Sequence, residues 1–310
     1  MKYLYWLPCT DEDKDLAFLE ASVLLNMEVK SSVCFSDKLI ELKNTAFLKL
    51  CGKILCKEKT FNELLEKVEA HNFDFDEFKI IVHKSRFQKQ EIESRIDAII
   101  AIADAIKDGF PNISNPKVTL DIISDGYDWY FLERQCKSEN NWRSHIHKPF
   151  NFSSSLSARY CRALVNIALP KGGTLLDPCC GYGNVLVEAA FLGIKIFGND
   201  LNEDHFECTK KNLDFFHSTA KLSCQDALSL EIENLDAVIV DYPYNINSLA
   251  PTDFYRDLAS YYFDKSKVFV ALTIEPFDAV LNEIGYHVKS VAVPHKGEFK
   301  RYVTLCHTHQ

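Results

Sequence analysis

The sequence predicts an α/β protein whose C-terminal half forms a doubly wound sheet, and three stretches carry this prediction. Residues 174–176 are a short apolar run that suits a buried strand, which Asp177 ends. Residues 181–183 form a glycine turn, and apolar residues at helical spacing continue over 185–190. A second apolar run covers residues 194–197. Strand, turn, helix and second strand make one βαβ unit, from which doubly wound sheets are built.

Acidic residues stand at the ends of successive strands in this predicted sheet: Asp177, Asp200, Asp226 and Asp241. The carboxyl ends of parallel strands meet at one edge, where doubly wound sheets bind their ligands, and an acid after the second strand suits ribose hydroxyls. Like charges repel unless cations or polar ligand groups lie between them. We therefore expect a nucleoside cofactor at this edge, with its ribose on Asp200. A purely structural βαβ unit is the alternative.

The composition is that of a globular protein. The chain has 310 residues, enough for two or three domains, and 47% of them are hydrophobic. A formal net charge of −9 argues against indiscriminate nucleic-acid binding, which depends on Lys and Arg, so RNA contacts are expected only in local patches. No apolar run approaches the roughly 18 residues of a membrane span. The 11 cysteines lack the spacing of a disulfide framework and no signal peptide opens the chain, so we expect a cytoplasmic protein with reduced thiols.

Two sets of residues resemble metal ligands but do not predict a metal site. Cys51 and Cys56 have no matching pair downstream at zinc-site spacing, and buried thiols are the simpler interpretation. His145 and His147 lie in residues 141–152, which we predict to be a polar, extended linker, and no third ligand stands near them. We therefore predict no metal.

A basic segment precedes a long helix in the N-terminal half. Residues 83–90 contain several cations and no acid, and Ile residues at helical spacing follow up to Gly109. Cations gathered at a helix entry are suited to contact phosphates. An RNA contact through Lys84, Arg86 and Lys89 is one interpretation, and a solvated loop is the other.

The order of elements over residues 41–140 resembles a THUMP domain. That order is two helices, a strand, the basic turn, the Ile-rich helix and a pair of strands. THUMP domains occur in tRNA-modifying enzymes, usually after a small ferredoxin-like domain. The resemblance implies an α+β RNA-binding region in which residues 1–40 form the ferredoxin-like segment. It also implies that Lys84, Arg86 and Lys89 contact the acceptor end of tRNA.

Residues 241–244, Asp-Tyr-Pro-Tyr, suit the methylation of an exocyclic amine. Such an amine is a poor nucleophile because its lone pair is delocalised into the base. The Asp241 carboxylate and a backbone carbonyl before Pro243 would accept its two N–H groups and return the lone pair to nitrogen. The Tyr244 ring would stack on the flipped base. A strand end followed by a turn is the alternative interpretation.

This tetrapeptide resembles the (Asp/Asn)-Pro-Pro-Tyr motif of amino-methyltransferases. With the other motifs it extends the resemblance, over nearly the whole chain, to the class I tRNA guanine-N2 methyltransferases. The resemblance implies a Rossmann-like methyltransferase domain over residues 153–310, closed by a β-hairpin, with S-adenosylmethionine as cofactor and tRNA as partner. It implies the following site residues: Ser155 and Leu156 beside the methionine part of the cofactor, Asp177, Cys180, Gly181 and Gly183 in the glycine loop, Asp200 at the ribose, Asp226 at the adenine, and Asp241, Pro243 and Tyr244 in catalysis. A small activating protein partner is compatible with it but does not follow from the sequence.

Two departures from the family pattern leave alternatives open. Tyr182 stands where the family favours a small residue, and Tyr242 stands where the catalytic motif has its first proline. Because proline fixes φ, we expect a less rigid loop, and we expect Tyr242→Pro to retain or raise activity. A catalytically silent tRNA-binding homologue is therefore one alternative. A DNA adenine-N6 methyltransferase shares the tetrapeptide and is another, although the residues before the catalytic domain resemble a tRNA module.

Overall fold

The computed structural model describes residues 3–83, 92–152, 155–243 and 252–308. The chain divides into two compact units. Unit 1 comprises Met1–Pro8, Lys30–Lys43 and Leu48–Glu139, and unit 2 comprises Cys9–Val29, Asn44–Phe47 and Asn140–Gln310. None of the described helices is long and apolar enough to cross a membrane.

The described residues before 140 form strands and helices that belong to unit 1, with the exception of the first helix. In chain order they are β1 (Tyr3–Trp6), α1 (Lys14–Leu25), β2 (Val33–Ser36), β3 (Leu50–Glu58), α2 (Phe61–Ala70), β4 (Asp74–Val82), α3 (Arg95–Ala105), β5 (Asp108–Pro111), β6 (Val118–Ser124) and β7 (Trp129–Lys137). Helix α1 is part of unit 2.

Unit 1 is built on a seven-stranded sheet with the order β2-β1-β3-β7-β6-β4-β5. β4 runs parallel to β5 and β6, and the other neighbours are antiparallel. Helix α2 begins with a capping box, in which Thr60 Oγ1 accepts from the Glu63 amide and the Glu63 carboxylate accepts from the Thr60 amide. Leu64 and Val68 of α2 and Ile102 of α3 are buried in one core cluster with the sheet.

Strands from both predicted N-terminal segments, residues 1–40 and 41–140, pair in this one sheet. Strands β1 and β2 come from the first segment, and β3 pairs with β1 on one side and with β7 on the other. Residues 50–58 are therefore a central strand, and one helix, rather than the expected two, lies between residue 41 and β4. Residues 50–58 form a strand because they pair with strands that are distant in sequence, and such pairing leaves no local pattern in the sequence. The chain passes from unit 1 to unit 2 between Glu139 and Asn140.

Unit 2 contains α1 and the elements after residue 140. In chain order these are a 3-10 helix (Asn141–His147), α4 (Ala158–Ala168), β8 (Thr174–Asp177), α5 (Asn184–Phe191), β9 (Lys195–Asn199), α6 (Glu203–Phe215), β10 (Lys221–Ser223), a 3-10 helix (Ala227–Ser229), β11 (Leu235–Asp241), α7 (Thr252–Tyr262), β12 (Ser266–Thr273), α8 (Asp278–Ile284), β13 (His287–Ala292), β14 (His295–Lys296), β15 (Phe299–Lys300) and β16 (Tyr302–His307).

The large sheet of unit 2 has the order β10-β9-β8-β11-β12-β16-β13. Its first five strands are parallel, and β16 runs antiparallel to both β12 and β13. The doubly wound sheet and its closing β-hairpin are thus confirmed. The strand order reverses between β8 and β11, the switch point at which doubly wound sheets bind ligands.

The predicted extended linker, residues 141–152, is helical over its first half. His145 of this 3-10 helix is buried, and its Nδ1 lies 2.7 Å from Glu188 Oε1. Arg162 Nη2 lies 2.6 Å from the other carboxylate oxygen of Glu188. A buried polar contact with a residue 43 positions away therefore orders a segment that is polar by its own sequence.

Helix α1 joins unit 2 through a buried carboxylate. The two oxygens of Glu20 accept hydrogen bonds from the amides of Ala46 and Phe47, each at 2.8 Å. Asn166 Nδ2 of α4 donates to the same carboxylate at 2.7 Å. Burial raises the pKa of Glu20, and these three donors oppose the shift. The hydrogen bonds explain why α1 and residues 44–47 belong with unit 2 although their chain neighbours belong to unit 1.

Candidate active site

A cavity of about 540 Å³ lies at the carboxyl ends of β8, β9 and β11, which form the predicted ligand edge of unit 2. It is lined by eight of the predicted site residues: Ser155, Leu156, Asp177, Cys180, Gly181, Asp200, Asp241 and Pro243. The structure therefore brings together acids from three strand ends, the glycine loop and the segment before α4. A concave site with a few convergent polar groups is the usual form of a small-molecule site.

The remaining predicted site residues are placed elsewhere. Gly183 and Asp226 are not among the described residues that line the cavity. Asp226 is exposed, and its Oδ1 accepts a hydrogen bond from the Leu228 amide at 2.9 Å. Four predicted residues lie outside the described part of the chain: Lys84, Arg86, Lys89 and Tyr244.

The glycine loop requires both of its glycines. Gly181 and Gly183 have φ angles of +54° and +75°, in the left-handed region that L side chains rarely adopt. A Cβ on Gly183 would lie 2.9 Å from Thr209 Cγ2, whereas a Cβ on Gly181 would meet nothing within 4 Å. Gly183 thus allows the loop to pack closely on α6, and Gly181 leaves open space beside the cavity.

Asp200 holds the glycine loop in place. Its Oδ2 accepts a hydrogen bond from the Gly181 amide at 2.7 Å, and its Oδ1 accepts one from the Asn202 amide at 3.0 Å. His205 Nδ1 lies 3.3 Å from the same Oδ1. Each carboxylate oxygen can accept two hydrogen bonds, so Oδ2 retains capacity for a ligand hydroxyl. Asp200 is therefore both a support of the loop and a wall of the cavity.

Asp177 is the most shielded acid of the edge. It is buried, and its pKa lies well above the usual range of a carboxyl group. Burial is the main cause, and the charges of Asp241 and Asp200 add to it, whereas the Cys179 amide, which donates to Oδ1 at 3.2 Å, opposes it. The edge therefore favours a bound positive charge or a bound proton.

Asp241 ends β11 as a half-buried residue, and one oxygen of its carboxylate, Oδ1, is buried. No residue in the described part of the chain donates a hydrogen bond to its Oδ1. Burial raises the pKa of Asp241 to about 6, and the charge of Arg301 opposes this shift. A buried acceptor without a partner costs free energy unless a ligand provides the donor. The arrangement is suited to accept an N–H group.

Tyr242, the residue in place of the motif proline, is firmly held. It is fully buried, its amide donates to Leu272 O at 3.1 Å, and its hydroxyl donates to Tyr255 O at 3.1 Å. The rings of Tyr242 and Phe277 pack with centroids 5.6 Å apart. The expectation of a less rigid loop is therefore not met at this position, because packing and hydrogen bonds replace the fixed φ of proline. Tyr242→Pro would remove the amide donor and leave a void, so the structure reverses the expectation for that substitution.

An aromatic rim of three residues, Phe152, Tyr182 and His205, lines the cavity and was not predicted. The rings of Phe152 and Tyr182 stack with centroids 5.5 Å apart and planes 9° apart. The ring centroids of His205 and Tyr182 lie 5.3 Å apart. The signal in the sequence was Tyr182, a large residue inside a glycine turn. The rim offers an aromatic surface for a flat ring.

The fold and the site define the class of unit 2. Its strand order, its glycine loop tied to the acid after β9 and its acidic motif after β11 are those of a class I methyltransferase fold. Residues 146–256 match the family described as UPF0020, RMKL-like, methyltransferase domain. The crystal structure of SMU.472 complexed with SAH aligns with 100% of this chain and 98% of its own, with a TM-score of 0.52 at 12% identity, and so shares the fold.

Curated relatives narrow the similarity further. The tRNA (guanine(10)-N2)-dimethyltransferase of Methanothermobacter thermautotrophicus is 35% identical over 104 residues, which are 33% of this chain and 31% of that protein. The tRNA (guanine(10)-N2)-dimethyltransferase of Methanocaldococcus jannaschii is 29% identical over 202 residues, or 56% of each chain. The chain thus spans from about a third to little more than half of the length of these relatives. The resemblance to the tRNA guanine-N2 methyltransferase family is confirmed.

Proposed function

We propose that this protein uses S-adenosylmethionine to methylate an exocyclic amino group of a nucleobase in tRNA, and that the group is guanine N2. The observation that carries the proposal is Asp241, a residue of the switch-point cavity whose buried Oδ1 has no donor among the described residues. An amine substrate supplies the missing N–H. The similarity to tRNA (guanine(10)-N2)-dimethyltransferases supports both guanine and tRNA.

The residues of unit 2 fit the cofactor. When bound, S-adenosylmethionine supplies a methyl group activated by a positively charged sulfur. The acids of the edge, Asp177, Asp200 and Asp241, suit that positive charge. Asp200 Oδ2 suits a ribose hydroxyl, and the open space at Gly181 leaves room beside the loop. The presence of SAH in the SMU.472 structure supports the same assignment.

Asp241 and the turn after it prepare the amine for attack. The Asp241 carboxylate accepts one N–H group, and the backbone carbonyl of Tyr242 accepts the other, so the lone pair concentrates on nitrogen. The Tyr255 hydroxyl donates to Pro243 O at 2.8 Å and steadies the turn. A carboxyl group with a pKa of about 6 is also suited to take the proton that the amine loses.

Unit 1 supplies the tRNA contact in this proposal. The support is the charge of the basic segment, Lys84, Arg86 and Lys89, together with its resemblance to the THUMP pattern. Replacing all three with Ala is expected to weaken tRNA binding and to reduce the slope of log affinity against log salt by roughly one unit per lost phosphate contact. Cofactor affinity is the internal control and stays unchanged. A wild-type salt slope in this variant would place the RNA surface elsewhere.

A methyl-transfer assay tests the function directly. The protein is incubated with labelled S-adenosylmethionine and either undermodified tRNA or DNA, and the labelled nucleoside is identified. We expect N2-methylated guanosine from tRNA and no label in DNA. Label in DNA adenine would establish the DNA adenine-N6 methyltransferase instead. A wild type that binds cofactor and tRNA but transfers no methyl group would establish the silent tRNA-binding homologue.

A further inference from the structure

A second cavity, of about 230 Å³, adjoins the cofactor cavity of unit 2. Phe152, Ser155, Leu156 and Asn184 line both cavities. The smaller cavity extends from this shared wall to Lys148. A ligand in the larger cavity therefore has room for one of its ends in the smaller one.

Lys148 brings a buried positive charge to this smaller cavity. It is 8% exposed, and its Nζ donates to Asn151 Oδ1 at 2.5 Å. Glu188, an acid in the same wall, already faces Arg162 at 2.6 Å and His145 at 2.7 Å. No carboxylate in the described part of the chain forms an ion pair with Lys148. Burial lowers the pKa of Lys148, because an ammonium out of water is stable only beside an anion. The charge of Glu188 opposes this shift, but no residue in the described ranges forms an ion pair with Lys148.

Asn184 contributes a hydrogen-bond acceptor to the wall that the two cavities share. Its Nδ2 donates to Leu156 O at 2.7 Å, which determines which end of the amide is the oxygen. Its Oδ1 is buried, and no residue within the described ranges donates to it. Buried amide oxygens are normally hydrogen-bonded, so this one calls for a donor from a ligand. Lys148 and Asn184, which both line the smaller cavity, thus supply a cation and an unpartnered acceptor.

We infer that Lys148 and Asn184 form the subsite for the amino-acid end of the cofactor, with Lys148 Nζ binding the carboxylate and Asn184 Oδ1 accepting a hydrogen bond from the ammonium. This inference rests on the proposed function, because it requires S-adenosylmethionine in the larger cavity. A zwitterion satisfies both groups at once. An RNA phosphate would pair with Lys148 but has no donor for Asn184, so the amino-acid end fits better.

The test compares two cofactors that differ by one carboxylate. Calorimetry measures the affinity of the protein for S-adenosylmethionine and for decarboxylated S-adenosylmethionine. The wild type is expected to bind the carboxylated compound at least about tenfold more tightly, the range of one charge-assisted contact. In Lys148→Met this ratio falls to about one, while the affinity for the decarboxylated compound is unchanged. Lys148→Arg is expected to keep part of the preference for the carboxylated compound.

The matched control is Lys171→Met, an exposed lysine just after α4, which keeps the wild-type ratio. A folded Lys148→Met that also keeps the ratio overturns the inference and leaves the proposed function intact. Weaker tRNA binding with an unchanged ratio overturns it in favour of an RNA phosphate. Should Lys148→Met not fold, the wild type decides alone, since equal affinity for the two compounds excludes a carboxylate subsite. A wild type that binds neither compound removes the proposed function as well.

Discussion

Asp200 and Asp241 lie at the same edge of one sheet, yet their carboxylates are used differently. Both oxygens of Asp200 accept hydrogen bonds from backbone amides, those of Gly181 and Asn202. Asp241 has an Oδ1 without a donor among the described residues. The first acid holds a loop in the shape that a cofactor requires, and the second remains available to a reacting group. The difference teaches that position at the edge does not by itself assign a role.

The residue two positions after each acid explains the difference. At three acids of this edge the amide of that residue closes an Asx turn: Cys179 N donates to Asp177 Oδ1 at 3.2 Å, Asn202 N to Asp200 Oδ1 at 3.0 Å, and Leu228 N to Asp226 Oδ1 at 2.9 Å. After Asp241 the equivalent residue is Pro243, which has no amide hydrogen. The intervening amide, that of Tyr242, donates to Leu272 O. The local backbone therefore cannot close the same turn on Asp241.

The largest expected effect is on the stability of the fold, and it comes from replacing Tyr242, the buried residue that follows Asp241. Tyr242→Pro removes the amide donor to Leu272 O and a fully buried ring, and we expect a loss of about 3–5 kcal/mol in the free energy of unfolding, as for other large truncations in a core. Urea unfolding measures it. Tyr242→Phe is the matched control, because it loses only the hydroxyl bond to Tyr255 O and costs about 1 kcal/mol. Equal stability of the proline variant and the wild type would contradict this account.

The second effect concerns the available carboxylate itself. Asp241→Ala removes the acceptor, and we expect the methyl-transfer rate to fall about 10²- to 10³-fold, the loss usual for one preorganised contact in a transition state. Cofactor affinity serves as the second measurement and falls far less than the rate. Asp214→Ala, on the exposed face of α6, is the control. A variant as active as the wild type would remove Asp241 from catalysis.

A third experiment addresses the acid that supports the loop. Asp200→Ala removes the acceptor of the Gly181 amide and the expected ribose contact, so we expect cofactor affinity to fall at least about tenfold. The rate at saturating cofactor is expected to change far less. Asp204→Ala, in the exposed first turn of α6, keeps the wild-type affinity. The comparison fails if Asp200→Ala lowers the saturated rate and leaves cofactor affinity untouched.

The smallest expected effect comes from restoring the amide hydrogen that Pro243 lacks. Pro243→Ala restores an N–H group that can close an Asx turn on Asp241, and we expect kcat/KM to fall about three- to tenfold, the strength of one neutral hydrogen bond. In the wild type, kcat/KM falls as pH drops through about 6, because the protonated carboxyl no longer accepts the N–H of the amine. A hydrogen bond to the ionised form lowers its pKa, so the variant's profile shifts to lower pH. An unshifted profile would show that Pro243 does not set the state of Asp241.

Short-range patterns in the sequence determined the elements of this protein and the order of its acids. The helical spacing over 185–190 falls within α5, and the predicted strand at 174–176 forms most of β8. Helical spacing, caps and strand ends involve residues only a few positions apart, so they can be read directly. For the same reason the four acids at the strand ends were visible before their contacts were known. The turn-blocking proline after Asp241 belongs with them, since it too is a local feature.

Only the tertiary structure decided which of these groups have partners. The burial of Tyr242, the inclusion of α1 in unit 2 and the absence of an ion pair between Lys148 and any described carboxylate depend on residues far away in the chain. Asn166 and Glu20, for example, are 146 positions apart and share one hydrogen bond. Such partners are set by how the core packs as a whole, and dense packing depends on every side chain around a site. No local pattern carries that information, so the acids were predictable as a set but their separate roles were not.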